Sequence, residues 1–192
     1  MTDAVPSPAD AAADASADPS ADPSTGPAHH TPDSLMARLA ELDIPVSTVT
    51  HPPVFTVEEA KSLRGILPGG HSKNLFLRNK KGKQWLLVCE EDRAVDLKAF
   101  SDRIGSGRLS FGSADRLMAA LGVIPGAVTP FALINDTAGA VQPVLDAGLL
   151  AHEVLNFHPL NNGMTTAIGR DGLLRFIEAC GHTPQIVDLD AP

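Results

Sequence analysis

Cysteine, tyrosine, tryptophan and long apolar runs are all scarce in this 192-residue chain, and each shortage removes a class of protein. Two cysteines, Cys89 and Cys180, are too few for a disulfide framework, and neither stands in a CxxC or CxxH spacing that would hold zinc. Each lies within an apolar pattern, so both read as buried free thiols in a reducing cytoplasm. No stretch approaches the roughly 20 uninterrupted apolar residues that span a bilayer. The N-terminus lacks the basic and apolar segments of a secretory signal. Walker A, GxSxG, HExxH and strand-following GxGxxG sequences are all missing, which sets aside the commonest nucleotide, serine hydrolase and zinc protease readings. Basic residues are outnumbered, 15 Lys and Arg against 23 Asp and Glu, for a net charge of −8. Taken as an average, that balance opposes a polyanionic ligand, because neutralising phosphates requires clustered Lys and Arg.

The average misleads, because the charge is unevenly placed. Six aspartates (Asp3, Asp10, Asp14, Asp18, Asp22 and Asp33) fall within the first 33 residues, where there is no Lys or Arg. Residues 1–32 are rich in Ala, Asp, Pro and Ser and cannot bury enough apolar surface to offset the entropy of ordering, so they are expected to be a disordered tail. The adjacent His29-His30 pair lacks a third metal ligand. Residues 33–192 are long enough for one domain with a sizeable core. Within them, seven basic residues (Lys61, Arg64, Lys73, Arg78, Lys80, Lys81 and Lys83) occur with no acid between the first and the last. Such a window is a candidate phosphate contact, although hairpin lysines also serve solubility alone.

The pattern of elements predicts an α+β domain. Asp33 reads as the N-cap of a helix carrying Leu35, Met36, Leu39 and Leu42 on one face, ended by Ile44-Pro45. A strand over Val46–Thr50 follows, then a short helix capped by Thr56 and Glu59. Strands over Ser72–Arg78 and Gln84–Cys89 flank a short hairpin connection. Helices are expected near Asp96–Ser101 and from the Ser113 cap to Leu121, with Gly122 as the stop. Strands are expected at Pro130–Ile134, Val141–Leu145, Glu153–Phe157 and Thr165–Ile168. A helix over Gly172–Ala179 and a strand over Gln185–Leu189 close the chain. This irregular interleaving with hairpin neighbours fits a mixed, mostly antiparallel central sheet surrounded by helices better than a doubly wound parallel sheet.

Three places offer chemistry. Lys73 begins an apolar strand and shares a side with Leu75 and Leu77; it either snorkels from an edge strand or donates to an anionic or carbonyl ligand inside a cleft. Asn156-Phe157-His158-Pro159-Leu160-Asn161-Asn162-Gly163 gathers a histidine and three amides at a strand end. Asn162-Gly163 there is explained by tolerance of left-handed backbone. Gly122 to Pro130 is a stiff loop whose backbone groups can approach a ligand closely, or an ordinary connection.

Residues 34–190 resemble the YbaK-like, prolyl-tRNA synthetase-associated editing domains. The resemblance is carried by His51-Pro52-Pro53-Val54-Phe55-Thr56, Ser72-Lys73-Asn74-Leu75-Phe76-Leu77, Gly126-Ala127-Val128-Thr129-Pro130 and Phe157-His158-Pro159. Lys-Asn-Leu-Phe-Leu together with Phe-His-Pro-Leu is most similar to the free-standing branch that deacylates alanyl-tRNA-Pro; the branch acting on cysteinyl-tRNA-Pro shares the lysine. The resemblance implies a compact YbaK-like domain that hydrolyses a mischarged aminoacyl ester for translational fidelity, with no cofactor, metal or protein nucleophile. It implies Lys73, Gly126 and His158 as catalytic residues, with Asn74, Ala127, Val128, Thr129, Pro130, Phe55 and Asn161 binding substrate. Arg78, Lys80, Lys81 and Lys83 would meet the tRNA. The implied partners are tRNA-Pro mischarged with alanine and prolyl-tRNA synthetase, with no membrane and no DNA. A non-catalytic module binding tRNA or a synthetase, and a small-molecule hydrolase on the same scaffold, are the competing classes.

Overall fold

The computed structural model describes residues 29–52 and 67–190. The first element, α1 (Pro32–Glu41), is capped by Thr31 and not by Asp33 as the sequence suggested. The Thr31 hydroxyl accepts from the Ser34 N–H while the Ser34 hydroxyl accepts from the Thr31 N–H, and Pro32 occupies the first helical position, where its fixed φ suits the turn. Asp33 falls in the first turn, where its negative charge is favourable beside the positive end of the helix dipole. Leu35 and Leu39, four apart, form the buried stripe.

Strands β1 (Val46–Thr50), β2 (Gly70–Asn79) and β3 (Gln84–Glu90) follow, the last two forming the expected hairpin. Next come α2 (Leu97–Arg103), capped by Asp96, and β4 (Leu109–Phe111), a three-residue strand that the sequence reading did not include. Helix α3 (Ala114–Leu121) has the anticipated Ser113 cap, and Gly122 ends it in the left-handed conformation, φ +66°. Then come β5 (Val141–Asp146), β6 (Val154–Phe157), β7 (Met164–Gly169), α4 (Arg170–Ala179) and β8 (Gln185–Val187). The expected strand at Pro130–Ile134 is instead a 3-10 helix, Pro130–Asn135. Thr129 caps it, with its hydroxyl accepting from Phe131 N–H at 3.3 Å, and Pro130 again fills the first position. The helix predicted from Thr56 lies outside the described residues, as do the 1–28 part of the expected tail, Phe55, Lys61 and Arg64.

The strands form one mixed sheet in the order β1-β7-β6-β2-β3-β5-β8, with β4 paired to β2. Four pairings are antiparallel and three, β2 with β6, β3 with β5 and β5 with β8, are parallel. Alternate residues of the central strands feed two cores. Phe76, Leu86, Val88 and Leu145 face a larger one with α1, α3, α4 and the 3-10 helix. Leu77, Trp85, Leu87, Cys89 and Val144 face a smaller one completed by Phe100 of α2. Among the described residues no helix is long and apolar enough to cross a membrane.

The architecture opens at β2. One edge of this strand is covered by β3 from Ser72 to Arg78. The opposite edge pairs with β6 at Gly70 and His71, and with β4 from Leu77 to Asn79. Between them, among the described residues, no strand pairs with that edge, so β6 and β4 part from each other beside Lys73, Asn74 and Leu75. Crevices where neighbouring strands diverge are the usual ligand positions of open sheets.

Candidate active site

Lys73, within β2, and His158, just past the end of β6, both lie beside that divergence. His71 pairs in parallel with Asn156, where the β2–β6 ladder ends; Lys73 and His158 each lie two residues further along their chains. The period of two also gives His71, Lys73, Asn156 and His158 a common face. Beyond Phe157 the chain turns at Pro159, and Leu160 adopts φ +65°, an uncommon conformation for a branched side chain. The sequence suggested that Asn162 and Gly163 would take the left-handed backbone; neither does. Asn161 closes the turn instead, its Oδ1 accepting from the Gly163 N–H at 3.0 Å, and the positive φ falls at Leu160.

His158 Nδ1 lies 2.8 Å from the Met164 carbonyl, which can only accept, so Nδ1 carries the proton and Nε2 of the neutral ring presents a lone pair. Burial holds the His158 pKa below its ordinary 6.5, with nearby His51 pushing the same way; the Met164 bond and the charge of Glu91 oppose it. His51 packs beside it, with ring centroids 6.2 Å apart. His51 is itself fixed by Nδ1 to the Pro52 carbonyl at 2.8 Å and Nε2 to the Thr165 hydroxyl at 2.9 Å. His51 was noted only within a motif, and Glu91 not at all; their relevance comes from pairings across the sheet that spacing along the chain does not contain.

Lys73 is half-buried, opposite Cys89 on β3, and its ammonium donates to the backbone carbonyl of Arg93. Cys89 is a free thiol whose pKa burial pushes up to about 11, against the lowering effect of Lys73. Cys180 is only partly buried, unlike the full burial expected, yet its pKa is also raised to about 11 by burial. Neither sulfur is a thiolate nucleophile at neutral pH. Asn74 points to the other face of β2, where its Nδ2 makes a long 3.4 Å bond to the Ser72 hydroxyl; no bond joins it to Lys73. Its Oδ1 is buried without a partner. Asn156, also buried, donates to the Pro68 and Gly70 carbonyls at 3.0 and 3.3 Å and so ties the glycine loop before Lys73 to β6.

The 126–130 loop belongs to the larger core, on the face of β2 opposite Lys73, and no described contact joins the two. It opens with a β-turn in which Ala127 N–H donates to the Ile124 carbonyl at 3.0 Å. Pro125 and Gly126 occupy its centre, and Gly126 has the φ of +89° that a type II turn demands. Ala127, Thr129 and Pro130 are buried, with Val128 half-buried against the core that also holds Phe157 and Leu160, on either side of His158 and Pro159. Thr129 is fully buried and spends its hydroxyl on the cap. Among the described residues, the N–H groups of Gly126 and Val128 have no backbone acceptor.

The basic hairpin tip is well formed. Asn79 Oδ1 accepts from the N–H groups of Lys81 and Lys83 at 3.0 and 3.1 Å, and Lys80, Lys81 and Lys83 are exposed. Arg78 is half-buried between Gln84 and Ser110. Seven residues of strand separate Lys73 from Lys80, about 23 Å at a rise of ~3.3 Å per residue.

Comparison with known proteins bears on this arrangement. The family model for the aminoacyl-tRNA editing domain matches residues 51–176. The prolyl-tRNA editing protein ProX of Acetoanaerobium sticklandii is 37% identical over 157 residues, covering 81% of this chain and 96% of that protein. Prolyl-tRNA synthetase associated domain-containing protein 1 of Bos taurus is 40% identical over 162 residues, covering 82% of this chain and 94% of its own length. The crystal structure of hypothetical protein APE2540 superimposes with a TM-score of 0.65 at 18% identity, covering 81% of this chain and 97% of that one, and supports the fold.

Proposed function

From the premise that this chain belongs to the aminoacyl-tRNA editing domain family and is an aminoacyl-tRNA hydrolase, we propose that it deacylates alanyl-tRNA-Pro in trans and spares prolyl-tRNA-Pro. The observation that supports this reading is the parallel β2–β6 register, whose last pair lies two residues before both Lys73 and His158, beside the crevice where β6 and β4 diverge.

The need for a second, smaller site follows from binding physics. A pocket distinguishes ligands differing by a methylene or two by only ~1–3 kcal/mol per group, so a synthetase site shaped for proline accepts alanine at times. A pocket too small for the pyrrolidine ring then hydrolyses what enters. In the crevice, one N–H of the Lys73 ammonium is taken by the Arg93 carbonyl, and the remaining two can hold phosphate or ribose oxygens of the tRNA 3′ end. His158 Nε2 faces the aminoacyl group as a neutral acceptor. The N–H groups of Gly126 and Val128, which have no backbone acceptor among the described residues, would be donors for an ester oxygen that becomes anionic as water adds, which requires the ester to reach past the open edge of β2 to the face opposite Lys73. The ribose hydroxyl beside the ester is placed to assist the attack, so no carboxylate base is required. Lys80, Lys81 and Lys83 would meet the acceptor stem while the 3′ end reaches back to Lys73. Prolyl-tRNA synthetase is the partner this cycle implies, and the cytoplasm its place.

The test is a deacylation panel with Ala, Cys, Ser and Pro esters on tRNA-Pro and tRNA-Ala. Alanyl-tRNA-Pro is expected to be hydrolysed fastest and prolyl-tRNA-Pro to survive. Equal rates on those two would end the size-exclusion mechanism, faster cysteinyl turnover would reassign the substrate, and no turnover of any ester would leave a binding module.

A further inference from the structure

Lys73 owes its position to a residue that neither the sequence reading nor the family comparison singles out. Its ammonium donates to the backbone carbonyl of Arg93, just past the end of β3. A carbonyl in a loop is a fixed acceptor only if the residue carrying it is fixed, and Arg93 is held by its own side chain. Nε lies 2.8 Å from Asp146 Oδ2 at the end of β5, a buried ion pair whose angle does not make a hydrogen bond. The two terminal nitrogens grip Asp190 at 2.5 and 2.8 Å, past the end of β8, and Glu90 Oε2 lies 3.8 Å away. Three separate parts of the chain thus converge on one guanidinium, and its planar fork matches the Asp190 carboxylate as lysine would not. The Asp146 carboxylate is completely buried, and its other oxygen accepts from the Gly148 N–H at 3.2 Å. A buried carboxylate is costly without a cation, so Asp146 requires Arg93 where it is.

We propose that Arg93, clamped by Asp146 and Asp190, is a positioning residue for editing: it fixes the carbonyl that orients the Lys73 ammonium in the crevice. The inference rests on the reading of Lys73 as a site residue. It makes the C-terminal segment part of the catalytic apparatus, since Asp190 reaches the site through Arg93 alone among the described contacts. Asp190 is the useful handle, because its side chain is 75% exposed and its removal leaves the buried Asp146–Arg93 pair intact.

Single-turnover deacylation of alanyl-tRNA-Pro is measured for wild type, Lys73→Ala, Asp190→Ala, Asp190→Glu, Arg93→Lys and the double variant Lys73→Ala/Asp190→Ala, with rates referred to folded protein by circular dichroism. A misplacement of about 1 Å costs up to ~100-fold in rate, so losing one of two anchors is expected to lower the chemical rate about tenfold. The expected pattern is that fall for Asp190→Ala and Arg93→Lys, KM within about twofold of wild type, recovery in Asp190→Glu, and no further loss when Asp190→Ala is added to Lys73→Ala. A role in stability alone would lower the melting temperature and leave the rate per folded molecule unchanged. Wild-type rates in both Asp190→Ala and Arg93→Lys, or an undiminished Asp190→Ala effect in the Lys73→Ala background, would overturn the positioning role and leave the site standing. Wild-type turnover by Lys73→Ala would remove Lys73 from the site and take this inference with it.

Discussion

Gly126→Ala is the substitution whose effect is best determined by the backbone. Gly126 holds φ +89° at the third position of the Ile124–Ala127 turn, a conformation that costs an L-residue about 1–2 kcal/mol. Removing glycine also narrows the unfolded ensemble, which returns ~0.4–1 kcal/mol. The net loss is therefore about 1 kcal/mol, a fall in melting temperature of roughly 2–4 °C for a domain of this size. Gly126 is exposed, and its penalty should follow φ. Gly126→Asn, which tolerates positive φ and is accepted at this position of a type II turn, should lose less than Gly126→Ala. The catalytic loss should exceed the stability loss, because relaxing the strain rotates the N–H groups of Gly126 and Val128 away from the ester: a tenfold or greater fall in single-turnover rate is expected for Gly126→Ala. Thermal melts by circular dichroism and quenched deacylation assays read the two effects separately. A Gly126→Ala protein as stable as wild type would refute the turn argument. One that is destabilised but equally fast would refute the role of the loop in the reaction.

Two further outcomes follow from the same geometry. His158 binds a proton less well folded than at its ordinary 6.5, so below that value the unfolded chain takes up more protons and stability falls as pH drops from 6.5 toward the folded pKa. kcat/KM should decline over the same acid window, and His158→Asn should flatten the stability slope; an unchanged slope would take the proton off His158. Lys80→Glu/Lys81→Glu changes two exposed side chains, so melting should be unaffected while KM for the tRNA ester rises about tenfold at low salt and the salt slope shrinks by about two. An unaltered salt slope would place the tRNA elsewhere.

Much of the fold was legible because its signals are local. Ser113 and Gly122 bracket α3, Asp96 caps α2, and the β2–β3 hairpin follows from two alternating runs around a lysine-glycine turn. The two misassignments share one cause. Thr31-Pro32 and Thr129-Pro130 are the same device, a hydroxyl cap followed by proline at the first helical position, and each was passed over for a competing signal nearby. At the first the acidic Asp33 drew the cap forward. At the second the apolar Phe131-Ala132-Leu133 run is too short for periodicity to separate a strand from a helix. Strand β4 was missed for its length, three residues between glycines. The parallel pairings were out of reach, because they join strands distant in sequence.

The candidate site divides along the same line. Residue types at Lys73 and His158 are visible in sequence, but what brings their two chain segments side by side is the β2–β6 pairing, and what holds Lys73 is a carbonyl whose owner is pinned by acids 53 and 97 residues further on. The placement of charge bears on how an acidic chain can serve a tRNA substrate. The carboxylates of Asp146, Asp190 and Glu90 gather around one arginine, whose single positive charge offsets one of their three negative ones. Lys80, Lys81 and Lys83 form no ion pair among the described residues and face solvent at the hairpin tip. On the proposed function the near-balanced domain therefore presents its positive charge where the acceptor stem arrives. Three uncompensated lysines are enough to steer the tRNA and too few to retain it, and an editing enzyme must release its product after each turnover.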